Sequence, residues 1–331
     1  GIANANMDRS KVLAITGQTH SHLLHKESHQ NMDAITMFKP ITKWNWSIRN
    51  TDNIPEIVRR AFKIASEEKV GATHIELPQD VAKRESKIEP VEPTPVIRSN
   101  PHESLVKKAA ELILEAKQPL VLVGNGCIRE DASKHVRKFV EKTGICSMNT
   151  FMAKGVISDR SERHLQTIGI KKADHALISM KEADLVIAIG YDLVEYSPKN
   201  WNSELTKKII HIDFTPAEVD TFYPPTIEIV ADVEYTVDAI LEHLEDAKKK
   251  NPSINFPIKE MPELFKKNWQ EVEDRINRHE DDSSYPMQPE KLVLDVKKNL
   301  KDDDIVISDV GAHKMWIAKT YNTFQPNTCL I

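Results

Sequence analysis

The sequence predicts an α/β protein with a central doubly wound parallel-sheet domain, flanked on either side by a partial α/β unit. Three observations lead there. Short unbroken apolar runs recur, such as Leu120-Val121-Leu122-Val123 and Leu185-Val186-Ile187-Ala188-Ile189. Amphipathic stretches of helical period lie between them, and a proline-rich polar segment separates one such set from the next. Unbroken apolar runs of strand length mark strands buried on both faces, and their alternation with helices is the pattern of a parallel sheet.

In chain order, the first apolar run is Val12-Leu13-Ala14-Ile15, followed by a His-rich loop. A helix is then predicted with Ile57, Val58, Ala61, Phe62 and Ala65 on one face, Pro55 in its first turn and Gly71 as its stop. Ala72-Thr73-His74-Ile75-Glu76-Leu77, between Gly71 and Pro78, reads as the next strand, so residues 1–90 form one partial unit. Pro90, Pro93, Pro95 and Pro101 fall in polar sequence where neither a helix nor a central strand can continue, which places a linker at 91–102. A central domain follows at 103–250. It has a helical face through Leu105, Ala109, Leu112 and Ile113, a strand at Pro119–Val123 that ends on Gly124-Asn125-Gly126, and a helix through Ala132, Val136, Phe139 and Val140. Ile145-Cys146-Ser147-Met148, Leu185–Ile189 and Ile209-Ile210-His211-Ile212-Asp213 read as further strands, and a helix from Asp232 to about Asp246 closes the domain. Residues 251–285 read as a linker with an acidic helix near Glu271 to Glu280. From 286 to 331 a third unit opens: a helix at Leu292, Val293 and Val296, a strand at Ile305–Ser308, a helix through Met315, Trp316 and Ala318, and a strand starting at Thr328 and running to Ile331.

Composition excludes several function classes. The 331 residues are 40% hydrophobic and 29% charged, with no apolar run long enough to cross a bilayer, so a membrane role is not expected. A net charge of -5, with acids and bases interspersed, offers no basic face for nucleic acid. Cys127, Cys146 and Cys329 are too few and too scattered for a disulfide framework or a thiolate metal cage; they read as buried thiols in a reducing cytoplasm. The first residues carry neither an initiator Met nor a signal-peptide pattern, and the last look like a strand just beginning, so the chain is expected to be part of a longer one. His25 and His29 have the i, i+4 spacing of a helical zinc site, but no acidic or thiol set completes it and a polar loop is the preferred reading. Gly124-Asn125-Gly126 has the look of a nucleotide-binding turn but lacks the third glycine and an acidic partner. Trp44, Trp46, Trp201 and Trp316 are expected to cover a core edge or a subunit contact.

Asp309-Val310-Gly311-Ala312-His313 follows a strand and opens a helix, a junction that favours an anion such as diphosphate. With Ser308 before it and Lys314-Met315-Trp316 after it, this string resembles the opening of the diphosphate-binding domain of the acetolactate synthases, a thiamine-diphosphate-dependent family. Thr16-Gly17-Gln18, His29-Gln30, Pro40-Ile41-Thr42-Lys43 and Leu77-Pro78-Gln79-Asp80-Val81 resemble the second half of that family's pyrimidine-binding domain. The stretch from Ile189 to Asn202 is similar to the central-domain signature of the catabolic, flavin-independent acetolactate synthases. The matches lie in the family's order and cover essentially the whole chain.

The resemblance implies that thiamine diphosphate, with Mg2+, performs a decarboxylating condensation of two pyruvate molecules. An ylide adds to the first pyruvate, carbon dioxide leaves, and the carbanion equivalent attacks the second. It implies diphosphate contacts at Val310, Gly311, Ala312 and His313. His29 and Gln30 would line the substrate side, and Gln18 and Lys43 would stand near the substrate channel, where an amide or ammonium could orient a carboxylate. Tyr191-Asp192 with Glu195-Tyr196 stand where the flavin-binding branch has an Arg-Phe-Asp-Asp-Arg string, which argues against FAD. The family's ylide-forming Glu and its magnesium-binding Gly-Asp-Gly motif do not occur here, so this chain by itself is expected to be inactive. A homodimer or dimer of dimers is implied as the assembly. Rival readings are another thiamine-dependent carboligase or acetyl-transferring enzyme on short 2-oxo acids, and a non-catalytic nucleotide-binding or assembly module.

Overall fold

A computed structural model describes residues 1–128, 132–169 and 175–330. The expected last strand residue, Ile331, lies outside them. The chain divides into two compact units, 1–98 and 99–331, so the division falls inside the proline-rich segment. Residues 85–102 hold neither helix nor strand, because a proline supplies no N–H and each blocks the helical conformation of the residue before it.

The first unit comprises α1 (Ile2–Met7), β1 (Val12–Gln18), α2 (Ala34–Phe38), β2 (Trp44–Ser47), α3 (Ile54–Ser66), β3 (Ala72–Pro78) and α4 (Gln79–Ala82). Its three strands are parallel in the order β1-β3-β2. β2 carries no apolar run and was not foreseen; it is recruited as the neighbour of β3, with Trp46 opposite Ile75. Ile48, Ala61, Ile75 and Val81 form the core, with Ile57 and Val58 packed against it. Phe62, expected on the buried face of α3, is instead 57% exposed, because the sheet below α3 covers only the side that carries Ala61 and Ala65.

The second unit runs through α5 (Glu103–Glu115), β4 (Pro119–Val123), α6 (Ala132–Thr143), β5 (Cys146–Asn149), β6 (His164–Thr167), α7 (His175–Glu182), β7 (Leu185–Ile189), β8 (Lys208–Asp213), β9 (Ile227–Val230) and α8 (Val233–Lys250). It continues with α9 (Glu263–Glu280), α10 (Pro289–Lys298), β10 (Val306–Ile307), α11 (Ala312–Thr320) and β11 (Cys329–Leu330). Six strands form one parallel sheet in the order β6-β5-β4-β7-β8-β9, so the winding reverses between β4 and β7. The period-2 alternation of side chains sorts the apolar runs onto two faces. Val121, Val123, Ile187, Ile189, Ile210 and Ile212 meet α5, α6 and α8, while Leu120, Leu122, Val186, Ala188 and Ile209 meet α7 and Phe265 of α9. β6 (His164-Leu165-Gln166-Thr167) is too polar, and β9 (Ile227–Val230) too short, to be read as a strand by itself; each is held at a sheet edge by its neighbour.

α9 starts at Glu263, earlier than the acidic stretch indicated, and its first half belongs to the central sheet through Phe265 and a hydrogen bond from Asn268 to Ser179. On α10 the expected apolar face is not the buried one: Leu294 is buried with Val272 and Ile276 of α9, and Leu292 is 55% exposed.

A buried polar knot ties the region 318–324 to the turn between β5 and β6. Asp159 Oδ2 accepts the Thr323 N–H at 2.6 Å and its hydroxyl at 3.1 Å, and the Asp159 N–H donates to Thr323 O at 2.9 Å. Lys154 Nζ lies 3.7 Å from the same carboxylate and donates to Ala318 O at 3.3 Å; His164 Nε2 stands 3.3 Å from Asp159 Oδ1. Arg137 adds a second strap, donating to Val156 O at 2.5 Å, to Gly155 O, and to Phe324 O at 3.0 Å. Burial pushes the Asp159 carboxyl up, but Lys154, His164 and the Thr323 N–H more than offset it and hold it at about 2. A carboxyl held below its ordinary 3.8 stabilises the fold above that pH and loses the effect as pH falls through about 2. Asp159→Asn leaves Lys154 buried without its counter-charge, so it is expected to cost ~3–5 kcal/mol in urea unfolding at pH 6.5. The gap from the wild type should shrink between pH 3.8 and 2, and a substitution with no effect would rule out this role for the knot.

Candidate functional site

The anticipated site residues fall in both units. In the first, Gln18 is the last residue of β1 and pairs in register with Pro78 of β3. Its Nε2 donates to Met32 O at 2.7 Å and Glu76 Oε2 at 3.0 Å, while its Oε1 accepts the Thr19 N–H at 2.9 Å. The carboxamide is therefore fixed by internal partners. Glu76 shares a face of β3 with His74, whose Nε2 lies 2.8 Å from Thr16 Oγ1 and whose ring stacks on Phe38 at 4.0 Å. Burial lowers the His74 pKa, against the pull of the Glu76 charge. Sequence reasoning passed over this pair. The available signal was two ionisable residues at period two inside an otherwise strand-like run.

His29 and Gln30 lie on the exposed loop after β1, Gln30 with φ of 61°. Residues 24–31 contain no helix, so the spacing of His25 and His29 does not put them on a common helical face. Among the described residues no group of three or more His, Cys, Asp or Glu side chains could hold a metal ion. Lys43 does something other than expected: its ammonium donates to Ile64 O at 2.5 Å and to Glu67 O, closing the C-terminal end of α3. Burial lowers its pKa, with Glu67 and Glu68 opposing. Two of its three N–H donors are thereby committed to helix carbonyls.

In the second unit, Val310, Gly311, Ala312 and His313 are all exposed where β10 gives way to α11. α11 has no side-chain cap on its first turn, so the junction presents backbone N–H groups and the positive end of a helix. Asp309 Oδ1 accepts the Val310 N–H at 2.7 Å, and Ser308 Oγ donates to Asp309 O at 2.9 Å. The His313 ring folds back over Gly311: a Cβ on residue 311 would stand 2.7 Å from His313 Cε1.

The remaining place a ligand could be expected is the crevice between β4 and β7, where the winding reverses. Here the glycines serve close backbone approach. A Cβ on Gly126 would fall 2.6 Å from Gly190 Cα, and one on Gly190, which sits at φ +60°, would fall 2.6 Å from Cys127 N. The Ile189–Asn202 stretch is spent largely on packing: Tyr191 and Trp201 lie against Tyr223 in the core, Tyr191 donates to Tyr196 O, and Asn202 donates to Phe222 O at 2.8 Å. Trp201 is thus a core residue, whereas Trp46 is half exposed beside Trp44. All three cysteines are buried and in no disulfide, and burial pushes Cys146 up to about 11. A hollow lined by Ile113, Pro119, Cys146, Ile258, Met261 and Phe265 lies at the opposite, amino-terminal edge of the sheet and has no part in the crevice.

Glu195 enters the crevice from the loop after β7. Its carboxyl accepts the Asn125 N–H at 3.0 Å, the Asp192 N–H at 3.2 Å and the Thr150 hydroxyl. Burial raises it to about 7, against these three hydrogen bonds.

Residues 106–240 match the family of thiamine pyrophosphate enzymes over its central domain. The whole chain is 31% identical to the acetolactate synthase of Bacillus subtilis (strain 168), of which it covers 57%. It is 32% identical to a probable acetolactate synthase large subunit of Methanocaldococcus jannaschii, of which it covers 56%. Over 99% of the chain it is 30% identical to the acetolactate synthase large subunit of Corynebacterium glutamicum, of which it covers 52%. The chain thus spans a little over half the length of these relatives. Its second unit contains the central domain of a thiamine pyrophosphate enzyme. Over its full length the chain is acetolactate synthase-like. No helix among the described residues is long and apolar enough to cross a membrane.

A folded-state carboxyl raised from 4.5 to about 7 keeps its proton where the unfolded one has lost it, so stability falls as pH rises between those values. Glu195→Gln retains the shape and an acceptor oxygen but cannot ionise. Relative to the wild type it should be neutral at pH 4.5 and more stable by about 1–2 kcal/mol at pH 8, after discounting for partial solvent contact. Urea unfolding at the two pH values decides; equal pH dependence in both proteins would contradict a raised Glu195.

Proposed function

We propose that the protein acts as a thiamine-diphosphate-dependent acetolactate synthase, joining two pyruvate molecules with loss of one carbon dioxide. The observation that carries the reading is colinearity: the chain aligns from end to end with acetolactate synthases, across both units and not in the central domain alone. When bound, thiamine diphosphate supplies the nucleophilic carbon and the electron sink for decarboxylation.

The junction before α11 fits a diphosphate, because its first turn is uncapped and exposed. In this reading the backbone from Gly311 to His313 holds the anion, Val310 lies beside it with its N–H on Asp309, and the His313 imidazole adds a donor. The nearby Asp309 carboxylate opposes a bare anion, so the diphosphate is held as its Mg2+ complex. No Gly-Asp-Gly string occurs in these 331 residues, and no metal ligand is assigned to them. His29 and Gln30, on their exposed loop, meet the pyruvate carboxylate in this reading, since the Gln18 amide is committed to internal partners and Lys43 gives two of its three donors to helix carbonyls. The assembly is proposed to be a homodimer or a dimer of dimers, in the cytoplasm.

The test is acetolactate formation from pyruvate by the natural full-length protein with thiamine diphosphate and Mg2+. Product is expected, with Gln30→Ala raising KM for pyruvate by about tenfold and His313→Ala raising the thiamine diphosphate requirement by a similar factor. The 331-residue polypeptide by itself is expected to show no turnover. Decarboxylation of pyruvate with a product other than acetolactate would reassign the protein to another thiamine-dependent carboligase. No consumption of pyruvate would refute thiamine chemistry on this substrate.

A further inference from the structure

In a doubly wound sheet of this strand order, phosphate-bearing ligands sit in the crevice at the reversal point, on backbone N–H groups of the turn after the first strand. That requires N–H groups without internal acceptors. Here four consecutive ones are taken. Gly124 N donates to Ile189 O at 2.9 Å, Gly126 N to Gly190 O at 2.8 Å and Cys127 N to Gly124 O at 3.0 Å, all backbone carbonyls. Asn125 N alone donates to a side chain, at 3.0 and 3.2 Å from the two oxygens of Glu195.

The same carboxyl gathers donors from the turns after three strands: Asn125 after β4, Thr150 after β5 and Asp192 after β7. It stands where an external ligand's anionic group would have to stand, and it is tethered to the chain. We propose that Glu195 is a resident carboxyl plug, which fills a three-donor site at the reversal point that would otherwise take the carboxyl group of a small external ligand. The inference goes beyond the proposed activity and does not rest on it.

The ligand class that the emptied site would take follows from its donors. Two N–H groups and one hydroxyl match a single carboxylate. The Asp192 charge stands nearby and works against ionisation at this position, so a multiply charged phosphate is disfavoured. Formate is the fitting probe, since it carries the carboxyl group of Glu195 without the tether.

The experiment is thermal unfolding of the full chain, wild type and Glu195→Ala, at pH 6 and constant ionic strength, with chloride replaced by up to 100 mM formate. The variant should gain about 3 °C in Tm, saturating with formate, and the wild type less than about 1 °C. ADP or FAD at 1 mM should shift neither protein. Equal responses of the two proteins to formate, or a saturable rise of the wild-type Tm with ADP or FAD, would overturn the proposal. If Glu195→Ala has no cooperative transition in chloride, formate is expected to restore one, and failure to do so at 500 mM overturns it as well.

Discussion

Backbone contact between the turns that follow β4 and β7 is the constraint around which the second unit is arranged. These two strands are adjacent in the sheet but 60-odd residues apart in the chain, and they mark the place where the winding reverses. The Gly126 and Gly190 backbones approach so closely that no side chain fits between them. That closeness lets carbonyls of one turn take the N–H groups of the other, satisfying buried polar groups that would otherwise need a ligand or water. The apolar faces of the sheet follow from it, because the β4–β7 register sets which residues of each run face α5, α6 and α8 and which face α7 and α9.

The chemistry of the crevice is governed by the same contact. With carbonyls occupying most of the turn, one N–H remains to be met by a side chain, and Glu195 meets it together with Thr150 and Asp192. Burial and hydrogen bonding then pull its pKa in opposite directions, and burial wins. In the Asp159 knot the balance is reversed: a lysine beside the carboxylate and hydrogen bonds from Thr323 outweigh complete burial. The contrast has one cause, since a cation stands next to Asp159 whereas neutral donors and another acid surround Glu195.

The two carboxyls also divide the labour of the unit. Asp159, with Lys154 and Arg137, pins the stretch that follows α11 to the central sheet, and so steadies the short α11 whose first turn carries Ala312 and His313. Glu195 closes the interior of the central domain.

Much of this was legible in the residues. Apolar runs at 119–123, 185–189 and 209–213 announced buried parallel strands, prolines from 90 to 101 announced the division, and the string from Ser308 to Trp316 announced a helix start. β2, β6 and β9 were not read as strands, because β6 is polar and the alternation in β2 and β9 spans only four residues each, so neighbouring strands complete them. Nor was the burial of Leu294 in place of Leu292 legible, since it depends on where α9 lies. Of the site residues, sequence could name Gln18, His29, Gln30, Lys43 and the turn from Val310 to His313, but not their partners. The sequence by itself determined the class of fold, most of the element types and the likeness to acetolactate synthases, since these are written in local periodicity and short motifs. Only the tertiary structure decided that Lys43 closes a helix, that Gln18 is held by Glu76 and that Glu195 fills the crevice. Each of those depends on groups 20 to 70 residues away, brought within hydrogen-bonding distance by the fold.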